Sequence, residues 1–559
     1  MKTLLTTLHS KYVHASLALP YLKAYCGDNF GELQIAEYSV NEPKESILAQ
    51  IVACYADVVC FSVYLWNRKA ILELVECLKR IDPKIKIVLG GPEVSFEDDA
   101  FFSCYPVDAL ICGEGEIPLK HLLQAWIGGV SPTSLPGLRL PGFFSAGGTS
   151  LLETLDDIPS PFAAGLVDLK RGLVYYESSR GCPYSCSFCM SSLDEKVRSF
   201  SFARIKADLK FLMDEQVSLI KFVDRTFNYS PQRSREIFNY ILQNNRTSQF
   251  HFEIGAHLLD EATLKLLETV PEKTFQFEIG VQSTLPETLI NVGRIASLER
   301  LAENVSYLKS NTKIHLHLDL IAGLPGETYS QFLQSIDWTC SLGAGHLQIE
   351  PVKLLPGAPL RLQAEEWGIS HDPNPPYTIL HSDTMDFFDL ERLRGIGRLF
   401  DLLINTERFT HLVTGLVNHF SRPSLFLEDL DAYWRSHQLY NQSRSLHDLY
   451  QLMDGYLSES FSSVQLKGLR ELLARDYALH ERVVPGSAPD FFDTDLTERE
   501  KLCVRQRVKE KLELLDRDGK VQYFAAVFQH LPASDGRTVL VFLYIAKTAA
   551  GLKVLELSL

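Results

Sequence analysis

Over residues 1–126 short apolar runs alternate with stretches whose apolar positions recur at helical spacing. Runs at 4–8, 33–39, 58–63, 85–89 and 109–112 predict strands, and 16–25, 47–54 and 69–80 predict helices. That alternation predicts a parallel sheet with helices on its faces, a flavodoxin- or Rossmann-like domain over 1–130. A second alternation runs from Leu173 to about Gly357: strands at 173–176, 219–223, 250–254, 274–279, 314–321 and 346–350, with a helix at 203–215. Six strand-helix repeats fit a partial (β/α)6 TIM-like barrel over 172–375, whose strand ends line one cavity.

Between the two, residues 131–171 are rich in turn formers, including Ser131-Pro132-Thr133-Ser134-Leu135-Pro136-Gly137, Ala146-Gly147-Gly148 and Ile158-Pro159-Ser160-Pro161. This density predicts a connector, partly ordered as a short hairpin. Over 376–559 glycine thins out and helical periodicity takes over, as at 389–403 and 425–437. β-like runs follow at 521–528 and 538–544. The expectation is a mainly α domain with a short β end.

Composition adds limits. The chain has 559 residues, 46% hydrophobic and 22% charged, enough for several globular domains. A net charge of −15 argues against a broad polyanion-binding surface, so no nucleic-acid partner is implied. The opening nine residues lack the sustained apolar core of a signal peptide, and no run of about 18 apolar residues predicts a membrane span. Eleven cysteines without a framework of pairs point to reduced thiols in a cytoplasmic setting.

Three of those cysteines fall within eight residues, Cys182-Pro183-Tyr184-Ser185-Cys186-Ser187-Phe188-Cys189, in a loop after the 173–176 strand. Thiolates so close can each bind one iron of a cubane cluster, leaving a fourth iron open to a chelating cosubstrate. A zinc site or three unrelated buried thiols are the alternatives. Structural zinc takes four ligands in paired spacings, and no nearby histidine or cysteine completes the set.

The Cys-x3-Cys-x2-Cys spacing, with an aromatic before the last cysteine, resembles the signature of radical S-adenosylmethionine (SAM) enzymes. By that resemblance Cys182, Cys186 and Cys189 hold a 4Fe-4S cluster whose unique iron binds SAM, beside Phe188. Asp319-Leu320-Ile321-Ala322-Gly323-Leu324-Pro325-Gly326-Glu327-Thr328 resembles the fifth-strand motif of the same enzymes, where glycine admits backbone close to adenine. The resemblance also makes Asp224 the acceptor for the SAM amino group, although the family's Gly-Gly-Glu is absent and Asp224 with Arg225 could merely cap a helix. It makes Glu278, Gln282 and Ser283 candidates for ribose and carboxylate, and places Leu355 in an adenine-side loop. Glu278 needs such a partner, because an unpaired carboxylate inside a barrel is costly. His257, His315, His317 and His346, on or near barrel strands, and Cys340, on a helix, are read as structural.

The strand ends of the first domain carry residues 9–14 and 62–67, Gly90-Gly91-Pro92-Glu93-Val94 and Gly113-Glu114-Gly115-Glu116. Ligands bind beyond such ends in parallel sheets, although each loop also suits an ordinary turn. Ahead of a radical SAM motif they resemble the cobalamin-binding domain of the cobalamin-dependent class, with Ser62, Tyr64, Gly90, Gly91 and Glu114 bordering the corrin. The Asp-x-His-x-x-Gly motif that supplies a lower histidine ligand in some cobalamin proteins is missing.

The resemblance implies that SAM is cleaved to a 5'-deoxyadenosyl radical, which abstracts hydrogen from an unactivated carbon that methylcobalamin then methylates. An electron donor such as flavodoxin or ferredoxin and an unknown small-molecule substrate follow from it, as does the C-terminal extension of one subgroup. Cyclisation or rearrangement without methyl transfer, and a first domain that no longer binds cobalamin, stay open. A redox sensor or scaffold that turns over nothing would not need the 319–328 motif.

Overall fold

The computed structural model describes residues 1–559 except 143–147, 195, 443, 485, 515–520, 532–535 and 549–550. It divides into two compact units, Met1–Ser335 with Ser341–Gly345 and Ile349–Leu390, and Ile336–Cys340 with His346–Gln348 and Glu391–Leu559.

In the first unit, strands β1 (Lys2–His9), β2 (Glu32–Ser39), β3 (Val58–Ser62), β4 (Lys86–Gly90), β5 (Ala109–Ile111) and β6 (Leu138–Arg139) form one sheet in the order β2-β1-β3-β4-β5-β6. The first five run parallel, and β6 is antiparallel to β5. Side chains alternate between two cores. Leu4, Leu8, Val59, Phe61, Ile87 and Leu89 pack under the Arg68–Ile81 helix, and Leu5, Val58, Cys60, Val88 and Ile111 under the Ala18–Cys26 and Glu116–Ile127 helices. Both faces are therefore covered, as a parallel sheet requires. The connector is less free than its proline and glycine content suggests. Leu138, Leu152, Leu155, Ile158 and Phe162 are buried, and β6 extends the sheet instead of pairing as a separate hairpin. Ala146 and Gly147 lie outside the described residues.

The barrel strands are β7 (Leu173–Tyr176), β8 (Leu219–Phe222), β9 (Gln249–Ile254), β10 (Phe275–Gln282), β11 (His315–Ala322) and β12 (His346–Pro351), neighbours in sequence order. Alternate residues face outward and are buried: Phe222, Phe250, Phe252, Phe275 and Phe277 join Phe227 and Phe238 in one aromatic cluster. With period two, this leaves Tyr175, Lys221, His251, Glu253, Glu278, His317 and Asp319 on the other face. Register pairs them across the sheet, Lys221 with Tyr175 and His251, Glu253 with Glu278, and Glu278 with His317.

The second unit is helical (Thr410–Phe420, Pro423–Ser436, Leu446–Ser460, Ser463–His480 and Glu498–Leu514 among its helices), and ends in an antiparallel sheet of β13 (Gln522–Phe528), β14 (Thr538–Thr548) and β15 (Gly551–Ser558). Val504 and Val508 of the last helix pack on Val527, Val541 and Leu543. The third strand goes beyond the sequence expectation, although Leu552, Val554, Leu555 and Leu557 carry its apolar content. No helix among the described residues is long and apolar enough to cross a membrane.

Candidate active site

The cysteine loop is built into its surroundings by backbone bonds. Cys182 N donates to Asp194 O at 2.9 Å, Cys189 N to Cys186 O at 3.0 Å, Ser187 N to Val292 O at 2.9 Å, and Leu360 N to Ser187 O at 2.8 Å. Gly181, at φ +89°, opens the loop because a Cβ there would lie 2.5 Å from Lys196 O. Cys182 and Cys186 are buried and Cys189 is half-buried. Each sulfur has a polar neighbour: Thr226 Oγ1 is 3.7 Å from Cys182 Sγ, Arg294 Nη1 donates to Cys186 Sγ at 3.9 Å, and Ser191 N donates to Cys189 Sγ at 3.4 Å. Burial pushes the Cys186 thiol up, Arg294 opposes that, and the charges of Cys189 and Cys182 add to it. Among the described residues no three His, Cys, Asp or Glu side chains gather as ligands of a single ion. Three thiols on one loop fit a cubane, in which each sulfur holds a different iron.

Beside the loop a cavity of about 180 Å³ opens among Tyr184, Arg225, Thr226, Glu253, His257, Glu278, Gly280, Gln282, Arg294 and Asp319. It gathers three of the sequence-predicted SAM residues, Glu278, Gln282 and Asp319. Burial alone would raise the Glu278 carboxyl, but His251 Nε2 at 2.9 Å and Lys221 Nζ at 3.4 Å pull it down to about 2. Glu253 moves the other way: burial, with Glu278 alongside, pushes it to about 7 against Lys221 and Arg225. Burial also raises Asp319, although His317 Nε2 lies 3.2 Å from Oδ1. Gln282 sits at φ +72°, and its buried Oε1 has no hydrogen-bond partner. A non-glycine residue at positive φ that lines a polar cavity and carries an unsatisfied amide oxygen fits a donor-bearing ligand such as SAM.

Other predicted residues sit elsewhere. Asp224 is fully buried and turned from the cavity, accepting from Ser178 N at 3.0 Å, Ser178 Oγ at 2.6 Å and Ser179 Oγ, with Arg233 Nη2 at 3.7 Å. It anchors the start of the cysteine loop. Ser283 is fully buried and donates to Glu327 at 2.8 Å. Gly323, at φ +86°, packs its Cα against Ile379 and Leu390, 3.1 Å from where a Cβ would be, so its lack of a side chain serves packing within the unit. Phe188 and Leu355 are half-buried. Gly357, two residues after Leu355, lies under the Phe96 ring of the first domain, where a Cβ would come within 2.2 Å of Cζ.

At the carboxyl edge of the first sheet, Asn67 is fully buried and holds the strand ends together, donating to Leu8 O at 2.9 Å and accepting from Tyr64 N at 2.8 Å. Tyr64 stacks on Trp66, centroids 4.6 Å apart and ring planes nearly parallel. Gly91, at φ +102°, would put a Cβ 2.5 Å from Val63 O, while Gly90 has only Ile111 nearby. Ser62 is buried, and its carbonyl accepts from Thr7 Oγ1 at 2.7 Å. A floor of paired glycines and stacked aromatics fits a broad ring system such as corrin. Of the histidines of this edge, His14 Nδ1 is 2.7 Å from Tyr175 OH, and the buried His9 Nε2 lies 3.4 Å from Glu37 without a hydrogen-bond partner. Glu114 does not border that floor freely. Arg198 grips both its oxygens, at 2.6 and 3.1 Å, and Arg180 Nη1 is 3.3 Å away. Arg180 also reaches Glu116 at 2.8 Å and Glu177 at 3.0 Å, so this loop ties the first domain to the cysteine loop.

Sequence reasoning passed over Tyr184, Glu253 and Arg294 and read His257 as structural. His257 Nε2 is 3.3 Å from Tyr184 OH, and burial with Arg294 and Arg300 lowers its pKa to about 4. For Glu253 the signal was a carboxylate alternating with Phe252 and Ile254 in an otherwise apolar strand. For Arg294 there was none beyond a glycine before it.

Comparison with known proteins matches three segments of the chain. Residues 4–123 match the B12 binding domain, 176–339 the radical SAM superfamily, and 365–523 a protein of unknown function, DUF4080. The cobalamin-dependent radical SAM methyltransferase TokK of Streptomyces tokunonensis is 26% identical over 348 residues, 57% of this chain and 50% of TokK. The 2-(S-pantetheinyl)-carbapenam-3-carboxylate methyltransferase of Streptantibioticus cattleyicolor is 25% identical over 327 residues, 54% of this chain and 48% of that protein. The chain thus spans about half the length of these relatives. The structure of the cobalamin-dependent SAM radical enzyme OxsB with aqua-cobalamin and SAM bound superposes with a TM-score of 0.60 at 14% identity, covering 93% of this chain and 82% of OxsB, which establishes a shared fold.

Proposed function

We propose that this chain, which joins a B12-binding domain to a radical SAM domain and so belongs to the cobalamin-dependent radical SAM proteins, is a methyltransferase acting on an unactivated carbon of a small molecule. The observation that carries the reading is the junction of three thiols on one loop with a polar cavity beside them, in a unit that also holds the glycine-aromatic edge of the first sheet. When bound, the cluster and SAM supply a carbon-centred radical and cobalamin carries the methyl group. Cys182, Cys186 and Cys189 would hold the iron. Glu278, Gln282 and Asp319, with Phe188 and Leu355 alongside, would orient SAM. Tyr64, Gly90 and Gly91 would support the corrin. Asp224, Ser283 and Gly323 brace those groups from behind, and Glu114 locks the first domain onto the cysteine loop. Burial of Cys182 and Cys186 supports the exclusion of water and oxygen that radical chemistry needs.

All eleven cysteines are free, which supports a reducing, cytoplasmic setting; the match to the radical SAM superfamily supports the need for a reductant, for which a low-potential protein such as flavodoxin or ferredoxin is proposed. The test is reduction of the reconstituted protein with SAM labelled in the methyl group. Release of 5'-deoxyadenosine together with label found on a carbon of a candidate acceptor supports the reading. Release of 5'-deoxyadenosine with an altered but unlabelled acceptor points to rearrangement. Failure to cleave SAM when the cluster is intact contradicts both.

A further inference from the structure

The short helix Pro286–Asn291 after β10 ends in a turn that lies directly on the cysteine loop. Val292 O accepts from Ser187 N at 2.9 Å. Gly293, at φ +65°, comes so close that a Cβ would sit 3.0 Å from Ser185 O. Arg294 N closes the turn on Leu289 O at 2.8 Å, which fixes where the side chain starts. The guanidinium then spans from the loop to the cavity: Nη1 donates to Cys186 Sγ at 3.9 Å, Nη2 donates to Gly280 O, and the buried Nε has no partner. A permanently charged, bifurcated donor is thereby held by backbone on both sides, with one arm on a thiol.

We infer that Arg294 is a positioning residue that raises the reduction potential of the cluster held by the Cys182 loop, by fixing a positive charge against the Cys186 sulfur. The inference rests on the cluster reading above. Reduction adds one electron, supplied by a low-potential reductant such as dithionite, and moves no proton or covalent bond. The reduced state carries one more negative charge, so a cation and hydrogen-bond donor at a ligand sulfur stabilise it more than the oxidised state. The gain is large where water is scarce, and Cys186 is 6% exposed.

The experiment is a redox titration of the anaerobically reconstituted full chain, followed by the electron paramagnetic resonance signal of the reduced cluster, without SAM or cobalamin. Arg294→Gln is expected to lower the ratio of reduced to oxidised cluster at a fixed potential about tenfold, a midpoint about 59 mV more negative for a one-electron couple. Arg294→Lys, which keeps the charge, is expected to recover more than half of that shift. Equal midpoints for wild type and Arg294→Gln overturn the inference, as do equal shifts for Gln and Lys. A shift that emerges only when SAM is added also overturns it, because Arg294 would then act on the cosubstrate. Should Arg294→Gln fail to retain iron, Arg294→Met is titrated in its place: a midpoint lowered by about as much supports the inference, and a wild-type midpoint overturns it. A wild-type chain that takes up no iron fails the cluster reading itself, a separate result.

Discussion

Replacing Arg198 by methionine should loosen the cysteine loop and the Gly113–Glu116 loop together. The guanidinium is 6% exposed and makes four bonds, to Glu114 Oε1 at 2.6 Å and Oε2 at 3.1 Å, to Asp194 Oδ2 at 2.8 Å and to Leu152 O at 2.7 Å. Asp194 is also the residue whose carbonyl holds Cys182 N. Removing one partner of a buried ion pair costs about 3–5 kcal/mol. The lower end applies here, since Asp194 is 30% exposed and Glu114 keeps Arg180. About 3 kcal/mol is roughly a 150-fold change in a local opening equilibrium. Hydrogen exchange reads that equilibrium segment by segment. Peptides spanning 113–116 and 180–199 should exchange up to that much faster in Arg198→Met, with the β13–β15 sheet unchanged. Burial would raise Glu114, but Arg198 and Arg180 hold it below the ordinary carboxylate range. The stabilisation is therefore complete above the unfolded-state pKa and is lost as pH falls through the folded one, and the difference between variant and wild type should shrink in acid. Unchanged exchange in both peptides, or a rise spread evenly over the chain, would refute the coupling.

Three further outcomes follow from the same structure. Glu253, raised from 4.5 to about 7 by burial and Glu278, holds a proton that the unfolded chain releases, so it costs stability progressively as pH rises through that window, on the order of 3 kcal/mol at most; Glu253→Gln should melt higher than wild type at about pH 8 and nearly level with it at about pH 5, whereas an equal gap at both would contradict the assignment. Gly181→Ala forces a φ of +89° on alanine and drives its Cβ to 2.5 Å from Lys196 O, strain of about 1–3 kcal/mol before the clash, and should lose most of its iron on reconstitution and desalting; full iron content would show that the loop tolerates the shift. Gly91→Ala meets Val63 O at 2.5 Å and N at 2.9 Å and should lose corrin while keeping iron, which absorbance of the desalted protein distinguishes.

Both sheets were legible from periodicity because their strands have an apolar face to bury. The 58–63 and 85–89 runs and the alternation of Phe250, Phe252 and Ile254 survive any loop context. The cysteine loop was legible because spacing alone constrains what three thiols can bind. What the sequence did not show was orientation. Asp224 follows a strand, as a cavity residue would, yet Ser178 and Ser179 offer it three donors and turn it inward. Glu114 sits in a strand-end loop like a ligand residue, and two arginines distant in sequence claim it. Arg294 reached the cysteines through a turn with no motif of its own. Such partnerships depend on long-range packing that local patterns do not encode.

The proposed chemistry requires the chain to hold both an iron cluster and a corrin. The direct test is anaerobic reconstitution of the full chain with iron, sulfide and hydroxocobalamin, followed by desalting, iron analysis and the visible spectrum. About four irons and a retained corrin spectrum per chain are expected, with iron lost in Cys186→Ala and corrin lost in Gly91→Ala. Iron without corrin would contradict the cobalamin assignment, and a wild-type chain that keeps neither would contradict the account as a whole.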